Sequence, residues 1–545
     1  MRNVLLFALV ATLIGCTTGD EQAVGEAAAQ PNILLILVDD MGYSDISPFG
    51  GEVETPTLDA LASEGLMLTN FHVLPTCSPM RSVLLSGTDN HVAGLGTMNE
   101  ARTPEMEGMP GYEGYLNFDV AALPEVLGAA GYHTYMAGKW HLGDEEETIP
   151  HARGFQKTFI LVEGGGSHWA DKRSLVPGPQ MTYRRNGVVV DALPDDFYST
   201  RYYTDQLLEW MDEDAGDDRP FFAYLSYTAP HDPLHAPQEY IDKYRGTYDE
   251  GWDVLRERRL EGLKALGIVA PSAVAFPRLP TVEAWADLPE EERQESARDM
   301  EVYAAMIDYI DGQIARVFDH LRESGEYDNT LIVFMSDNGA NGLPVTAYPG
   351  QTEEYVQSFD NSLENRGRPG SAIDMGPGWA QASMSPSRMY KSFTSEGGVR
   401  VPLLVKLPGD ADNAGTMNHS FFHVRDIMPT LLDAAGVAAV AEIDGRTVAP
   451  LQGQSVLDLF AGETETAYAG ADQVGTELFG MQSYVSGNWK ILRMPQPVGT
   501  GEWELHDLSE DPAEMNDLSA TYPDRLNEMV ALWEQYKTDN GVLDI

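Results

Sequence analysis

From Pro31 to about Leu407, short and nearly unbroken apolar runs alternate with longer amphipathic stretches. A short apolar run without polar alternation suits a strand buried on both faces, and helical stretches between such strands give a mostly parallel sheet. The clearest runs predict strands over Asn32–Val38, Tyr132–Ala137, Phe221–Tyr227, Leu331–Met335 and Val401–Lys406. Helices are predicted over Thr57–Glu64, Ser78–Ser86, Leu123–Ala130 and Glu291–Ser324. Between Gly339 and Pro386, Pro and Gly interrupt any period, and the segment reads as long loops at a functional face. After Thr430 the strands shorten, as at Tyr484–Val485 and Trp489–Arg493, and a helix closes the chain near Asp524–Tyr536. The pattern predicts an α/β domain over residues 31–430 and a smaller α+β domain over 431–545, with no internal repeat.

The start of the chain follows a different pattern. Met1-Arg2-Asn3 is weakly basic, and Val4–Ile14 is an apolar run that suits the core of a signal peptide but is too short to span a bilayer. It ends in Leu13-Ile14-Gly15-Cys16, which resembles the lipobox of bacterial lipoproteins. That resemblance implies a signal peptide over residues 1–16, a lipid on Cys16 and a flexible tether over 17–30. The expected location is the periplasm or cell surface, with the lipid as the only membrane attachment.

Charge narrows the partners. Among 545 residues, 85 Asp and Glu face 35 Lys and Arg, a formal charge of −50. Such a chain lacks the basic face that neutralises phosphates, so nucleic acid is excluded as a partner. An acidic surface is ordinarily a solvated one. If the substrate is anionic, local cations must reverse the global field, which screening weakens beyond about 8 Å. With only Cys16 and Cys77, a disulfide framework is excluded.

The chemistry collects at strand ends. Asn32–Val38 runs into Asp39-Asp40, Tyr132–Ala137 into Gly138-Lys139-Trp140-His141, Phe221–Tyr227 into Pro230-His231-Asp232, and Leu331–Met335 into Asp337-Asn338. In open α/β sheets ligands bind beyond the carboxyl ends of the strands, so these clusters are expected to meet in one cleft. Asp39, Asp40, Asp337 and Asn338 offer hard oxygens of the kind that hold Ca²⁺ or Mg²⁺, and no Cys/His set has zinc spacing. Cys77 precedes a helix opened by Pro79, with Arg81 four residues on. A helix N-terminus and a nearby arginine permit a low-pKa thiolate nucleophile; a buried structural cysteine is the alternative.

Cys77-Ser78-Pro79-Met80-Arg81 resembles the C-x-P-x-R signature of the formylglycine-dependent sulfatases. Similar segments are Asn32–Asp40, Thr76–Gly96, Gly138–Gly143, Pro220–Pro237, Leu331–Asn338, Tyr390–Pro402 and Glu504–Leu518, while Ser86–His91 and Tyr244–Trp252 look like bacterial arylsulfatases in particular. The resemblance implies an alkaline-phosphatase-like large domain, a smaller C-terminal domain with an antiparallel sheet, and hydrolysis of aryl or carbohydrate sulfate monoesters. It implies that a formylglycine-generating enzyme converts Cys77 to 3-oxoalanine, whose hydrated diol attacks sulfur. It assigns Ca²⁺, or Mg²⁺, to Asp39, Asp40, Asp337 and Asn338 together with residue 77. Arg81 is assigned to the diol and metal carboxylates, and Lys139 and Lys391 to the sulfate oxygens. His141 is assigned to the diol proton, His231 to the leaving group, and Asp337 is a further acceptor for the attacking hydroxyl.

His72, His91, His133 and His235 lie near these motifs without a role. Substrate choice is expected in the loops Glu100–Gly114, Glu163–Trp169 and Asn341–Ser385. Two alternatives stand beside sulfate ester hydrolysis: a phosphonate monoester or phosphodiester hydrolase using the same site, and an unmatured calcium- or glycan-binding protein.

Overall fold

The apolar runs become strands whose side chains divide between two cores. The computed structural model describes residues 30–409, 413–468, 470 and 473–544. The expected lipobox at Cys16 and all but the last residue of the expected tether over 17–30 lie outside the described residues. The main sheet comprises β1 (Asn32–Val38), β2 (Leu66–His72), β3 (His133–Lys139), β4 (Lys157–Leu161), β5 (Tyr183–Arg185), β6 (Val188–Val189), β7 (Phe221–Ser226), β8 (Thr330–Ser336), β9 (Arg400–Lys406), β10 (Thr416–Asn418) and β11 (Phe422–His423). Their order is β10-β2-β9-β8-β1-β7-β3-β4-β5-β6, with β11 paired to β2. The central five, β8, β1, β7, β3 and β4, run parallel, whereas β9 runs antiparallel to both β8 and β2.

All seven residues of β1 are buried. Because side chains alternate along a strand, Leu34, Ile36 and Val38 join one core, and Ile33, Leu35 and Leu37 join the other. The 35-residue helix Glu290–Ser324 covers the first face through residues such as Met300, Tyr303 and Ile307. Helices Cys77–Ser86, Leu123–Ala129 and Ile427–Ala434 cover the second. Each fully buried Leu or Ile contributes about 2 kcal/mol of hydrophobic stabilisation, so the two-sided burial of the central strands is a large part of what holds the sheet.

The expected strands and helices of residues 31–430 are present within one or two residues, whereas the strand expected at Tyr484–Val485 runs from Met481 to Ser486 and the closing helix extends to Asn540. The structure adds β2, whose Thr69-Asn70 interruption hides its apolar character, and a buried helix, Gly376–Ser383, inside the segment read as loop. That helix is held by tertiary packing of Trp379, Ala380 and Ala382 in the first core, which a local reading of a Gly- and Pro-rich stretch does not reveal.

Leu431, Leu432, Val448, Val456, Leu459 and Phe460 belong to the second core with Ile33 of β1. A separate four-stranded antiparallel sheet then forms from Gln473–Leu478, Met481–Ser486, Trp489–Arg493 and Glu504–Asp507. Helix Pro523–Asn540 seals it, with Met529 and Trp533 against Tyr484, Ile491 and Leu505. Polar ties bind this sheet to the large one. Lys490 Nζ lies 2.8 Å from Glu396 and 2.7 Å from Glu514. Tyr536 Oη donates to Asp89 at 2.7 Å, and His91 Nε2 is 3.3 Å from Glu477. Among the described residues, no helix is long and apolar enough to cross a membrane.

Candidate active site

Parallel register brings the four strand-end clusters to one edge. Leu37 of β1 pairs with Ser226 of β7, Val38 with Ser336 of β8, and Gly138 of β3 with Ser226. The next residues on β1 and β8, Asp39 and Asp337, and the last residue of β3, Lys139, therefore emerge side by side, fully buried. Gly138 is the place where glycine is required: a Cβ there would meet the Ser226 carbonyl oxygen at 1.7 Å.

Cys77 lies against this edge, 1% exposed, with Sγ 3.3 Å from Asp39 Oδ1. It heads a helix whose Pro79 occupies the first turn and whose Gly87 closes the other end in the left-handed region at φ 61. Four residues on, Arg81 is completely buried and donates to Asp337 Oδ2 at 3.0 Å, Ser226 Oγ at 2.6 Å and the Lys139 carbonyl at 3.1 Å. Lys139 Nζ stands 2.6 Å from Asp39 Oδ2. Lys391 Nζ stands 2.7 Å from Asp40 Oδ1. His231 Nε2 is 3.5 Å from Asp40 Oδ2, and its Nδ1 lies 2.6 Å from the Asp232 carbonyl. His141 Nε2 contacts Glu100 Oε1 at 3.0 Å. The structure thus brings Asp39, Asp40, Cys77, Arg81, Lys139, His231, Asp337, Asn338 and Lys391 into one contact network, with His141 beside it on the strand end that carries Lys139.

Charge sets the protonation of this network. Burial alone would raise the Asp39 carboxyl, but Lys139, His231, Arg81 and Lys391 hold it well below the usual range. Burial also opposes the charge on Lys139 and Lys391, and Asp39 and Asp40 respectively outweigh it, so both ammonium groups persist to high pH. Asp337 is pushed up to about 7 by burial and by Asp39, against Arg81. Burial and the Asp39 charge push the Cys77 thiol well up. Of the two alternatives left open by the sequence, desolvation and the adjacent carboxylate favour the buried thiol over the thiolate, and Cys77 donates to Asp39.

The donors suit a hard divalent cation. One ligand atom each from Asp39, Asp40, Cys77 and His231 lies within 4.8 Å of the others. Asn338 donates through Nδ2 to Asp40 Oδ1 at 2.6 Å, while its own Oδ1 is buried without a partner. A buried carbonyl-type oxygen with an open lone pair, beside two carboxylates, fits oxygen-ligated Ca²⁺ or Mg²⁺.

Several contacts of the site are not legible from local sequence. Ser226 ends β7 and reads as an ordinary strand residue, yet it receives Arg81. Asp232 accepts hydrogen bonds from Tyr348 Oη and Asn341 Nδ2, each at 3.1 Å, beneath His231. Gly164 and Gly165 press on the two histidines: added Cβ atoms would lie 2.6 Å from His141 Cε1 and 2.9 Å from His231 Cε1. The paired glycines before Gly166 were the available hint. The histidines without an assigned role are structural. His72 pairs with Glu396, His91 with Asp89 and Glu477, His133 with Asp217, and His235 bonds the Ser371 carbonyl.

Similarity to known proteins spans both parts of the chain. The family model described as Sulfatase matches residues 31–437, and that described as N-sulphoglucosamine sulphohydrolase, C-terminal, matches 388–537. An uncharacterized sulfatase of Schizosaccharomyces pombe is 44% identical over 527 residues, covering 94% of both chains. An arylsulfatase of Klebsiella aerogenes is 40% identical over 438 residues, 79% of this chain and 93% of the other. The fold also matches a solved structure in complex with its substrate, D-glucosamine-2-N,6-O-disulfate, with a TM-score of 0.61, 21% identity, and coverage of 94% of this chain and 99% of that one.

Proposed function

The chain belongs to the sulfatase family, and on that premise we propose that its alkaline-phosphatase-like α/β domain hydrolyses aryl or carbohydrate sulfate monoesters at residue 77. The observation that carries this reading is the contact of Cys77, at the head of its C-x-P-x-R helix, with Asp39 in a network holding Arg81, Lys139 and Lys391. An anion-binding pocket buried in a chain of net charge −50 needs such a local surplus of cations.

A formylglycine-generating enzyme would turn the thiol-bearing carbon of Cys77 into an aldehyde, and its hydrated diol supplies the nucleophile that a raised-pKa thiol does not. Asp39, Asp40, Asp337 and Asn338, with residue 77, would hold Ca²⁺, or Mg²⁺ with the same donors, and such an ion would supply Lewis-acid charge to the diol and a sulfate oxygen. Lys139 and Lys391 bind the remaining sulfate oxygens as fixed charges. Arg81 locks Asp337 and the β7 end and so keeps the carboxylates in place. His231, held from below through Asp232, gives its proton to the leaving oxygen, and His141 accepts a proton as sulfate departs. Residues 31–430 carry every one of these groups, and residues 431–545 brace them.

The lipobox at Cys16 supports export as a lipid-anchored periplasmic or surface protein. The −50 charge would favour a substrate with one sulfate over a polyanion.

Mass measurement of the Gly65–Glu100 fragment after cleavage at Glu64 and Glu100 tests the nucleophile. Chain from the native host should carry the aldehyde and release sulfate from an aryl or sugar sulfate; an unmodified thiol together with turnover would end the proposal. Comparing kcat/KM for an aryl sulfate and a phenyl phosphonate decides against the phosphonate alternative if the sulfate is preferred.

A further inference from the structure

Glu100 lies in the turn Asn99–Ala101, 41 residues before His141 in the chain, and no motif marks it. Its Oε1 is 3.0 Å from His141 Nε2, with the carboxylate side chain 56% exposed and the imidazole 11%. Cys77, against the neighbouring strand edge, is 1% exposed, so Glu100 is much the most exposed of the three. The other ring nitrogen, His141 Nδ1, is buried and has no hydrogen-bond partner.

The residue that carries the ring is held at several points. His141 holds φ 59, in the left-handed region where a residue with a Cβ is strained. Its backbone N–H donates to the Val162 carbonyl at 3.0 Å, and Gly164 lies against Cε1. Burial lowers the affinity of His141 for a second proton, and Lys139 and Arg81 add to this against the pull of Glu100, so the ring rests in its neutral form. A neutral imidazole carries one N–H, and a carboxylate can only accept. With Glu100 on Nε2, the proton sits on Nε2 and the lone pair is left on the buried Nδ1.

The turn bearing Glu100 is itself held at its base. Gly96 N–H donates to the Gly111 carbonyl at 2.8 Å, closing the loop. Asp89 and His91, just before it, are tied to Tyr536 and Glu477 of the C-terminal unit, and Tyr112 just after it receives the Leu543 N–H at 3.1 Å.

We propose that Glu100 is a positioning residue that fixes His141 as the Nε2–H tautomer, leaving the buried Nδ1 as the atom that accepts a proton during turnover. The inference rests on the role given to His141 above. Glu100 does not touch the reacting atoms; it acts through the ring it orients.

The test uses matured full-length enzyme with ¹⁵N-labelled histidine, and His141→Asn identifies the His141 resonances by their loss. Wild type should give the Nε2–H signature. Glu100→Ala should shift His141 to mixed tautomers and lower kcat by about 10²-fold on a singly sulfated aryl substrate, with KM changed less than about twofold. Glu100→Asp should recover part of kcat. An Nδ1–H tautomer in wild type, or Glu100→Ala with unchanged tautomer and kcat, or a rise in KM alone, overturns the proposal. Full activity in His141→Asn would instead remove the role assigned to His141, so the two failures are separable.

Discussion

Lys490, on a strand of the C-terminal sheet, places its ammonium 2.8 Å from Glu396, five residues beyond Lys391 in the chain. Glu396 also holds His72 at 2.9 Å, and its N–H donates to Glu514 at 3.0 Å. A cation from one sheet thus pins the segment that carries Lys391 to the other.

Lys490→Met should cost about 3–5 kcal/mol, because it leaves Glu396 and Glu514 as buried carboxylates without their cation. Thermal unfolding should show a clear drop in Tm, and kcat should fall with it as the Lys391 loop loosens. A variant of native Tm would remove this pair from the account of how the loop is held.

The metal donors make a binding prediction that needs no turnover. Ca²⁺ or Mg²⁺ added to chelator-treated protein should raise Tm, with a stabilisation of about 2.7 kcal/mol at a hundredfold excess over Kd. In Asn338→Leu the buried Oδ1 is gone, and the stabilisation should shrink or vanish. An equal shift in both proteins would mean that the cation binds elsewhere.

Gly164→Ala and Gly165→Ala test the contact with the histidines. Each added methyl meets an imidazole carbon inside 3.0 Å, at His141 and His231 respectively. Displacing either ring by a fraction of an ångström should lower kcat by about 10²-fold while Tm changes little. Steady-state kinetics on both variants, with native-like melting, separates this from misfolding.

Stability should depend on pH through His91. Burial disfavours its charge, but Asp89 and Glu477 outweigh burial and raise it to about 9. A native pKa above the unfolded value of about 6.5 means that the folded state holds the proton more tightly. The contribution, about 3 kcal/mol, is fully present below about pH 6.5 and is lost as pH rises through about 9. The Tm gap between wild type and His91→Gln should therefore be widest near pH 6 and close toward pH 9.5. A gap constant with pH would rule this ion pair out as its origin.

The central sheet was legible in the sequence because both faces of β1, β7 and β8 are buried, which writes each strand as an apolar run ending at its polar cluster. The site was legible for the same reason: register converts four strand ends into neighbours. β2 was not, since Thr69 and Asn70 interrupt its apolar run and its partners lie far along the chain. Glu100, Ser226 and the Asp232–Tyr348 contact also went unread, because each acquires its role from a tertiary contact rather than from local spacing. The choice between thiolate and buried thiol at Cys77 stayed open for a related reason. The helix end and Arg81 were visible, but the burial of Cys77 beside Asp39 was not.

The enclosure of Cys77 also fixes an order of events in time. At 1% exposure and against Asp39, its side chain is beyond the reach of another protein once the large sheet has closed. Any enzyme that alters it must act on chain that has been made but has not yet folded. Synthesis runs from the N-terminus, so Cys77 is available while Lys391 and Lys490 have still to appear. The residues that complete the site and brace it are therefore the last to arrive, and their late arrival leaves the interval in which position 77 can be changed.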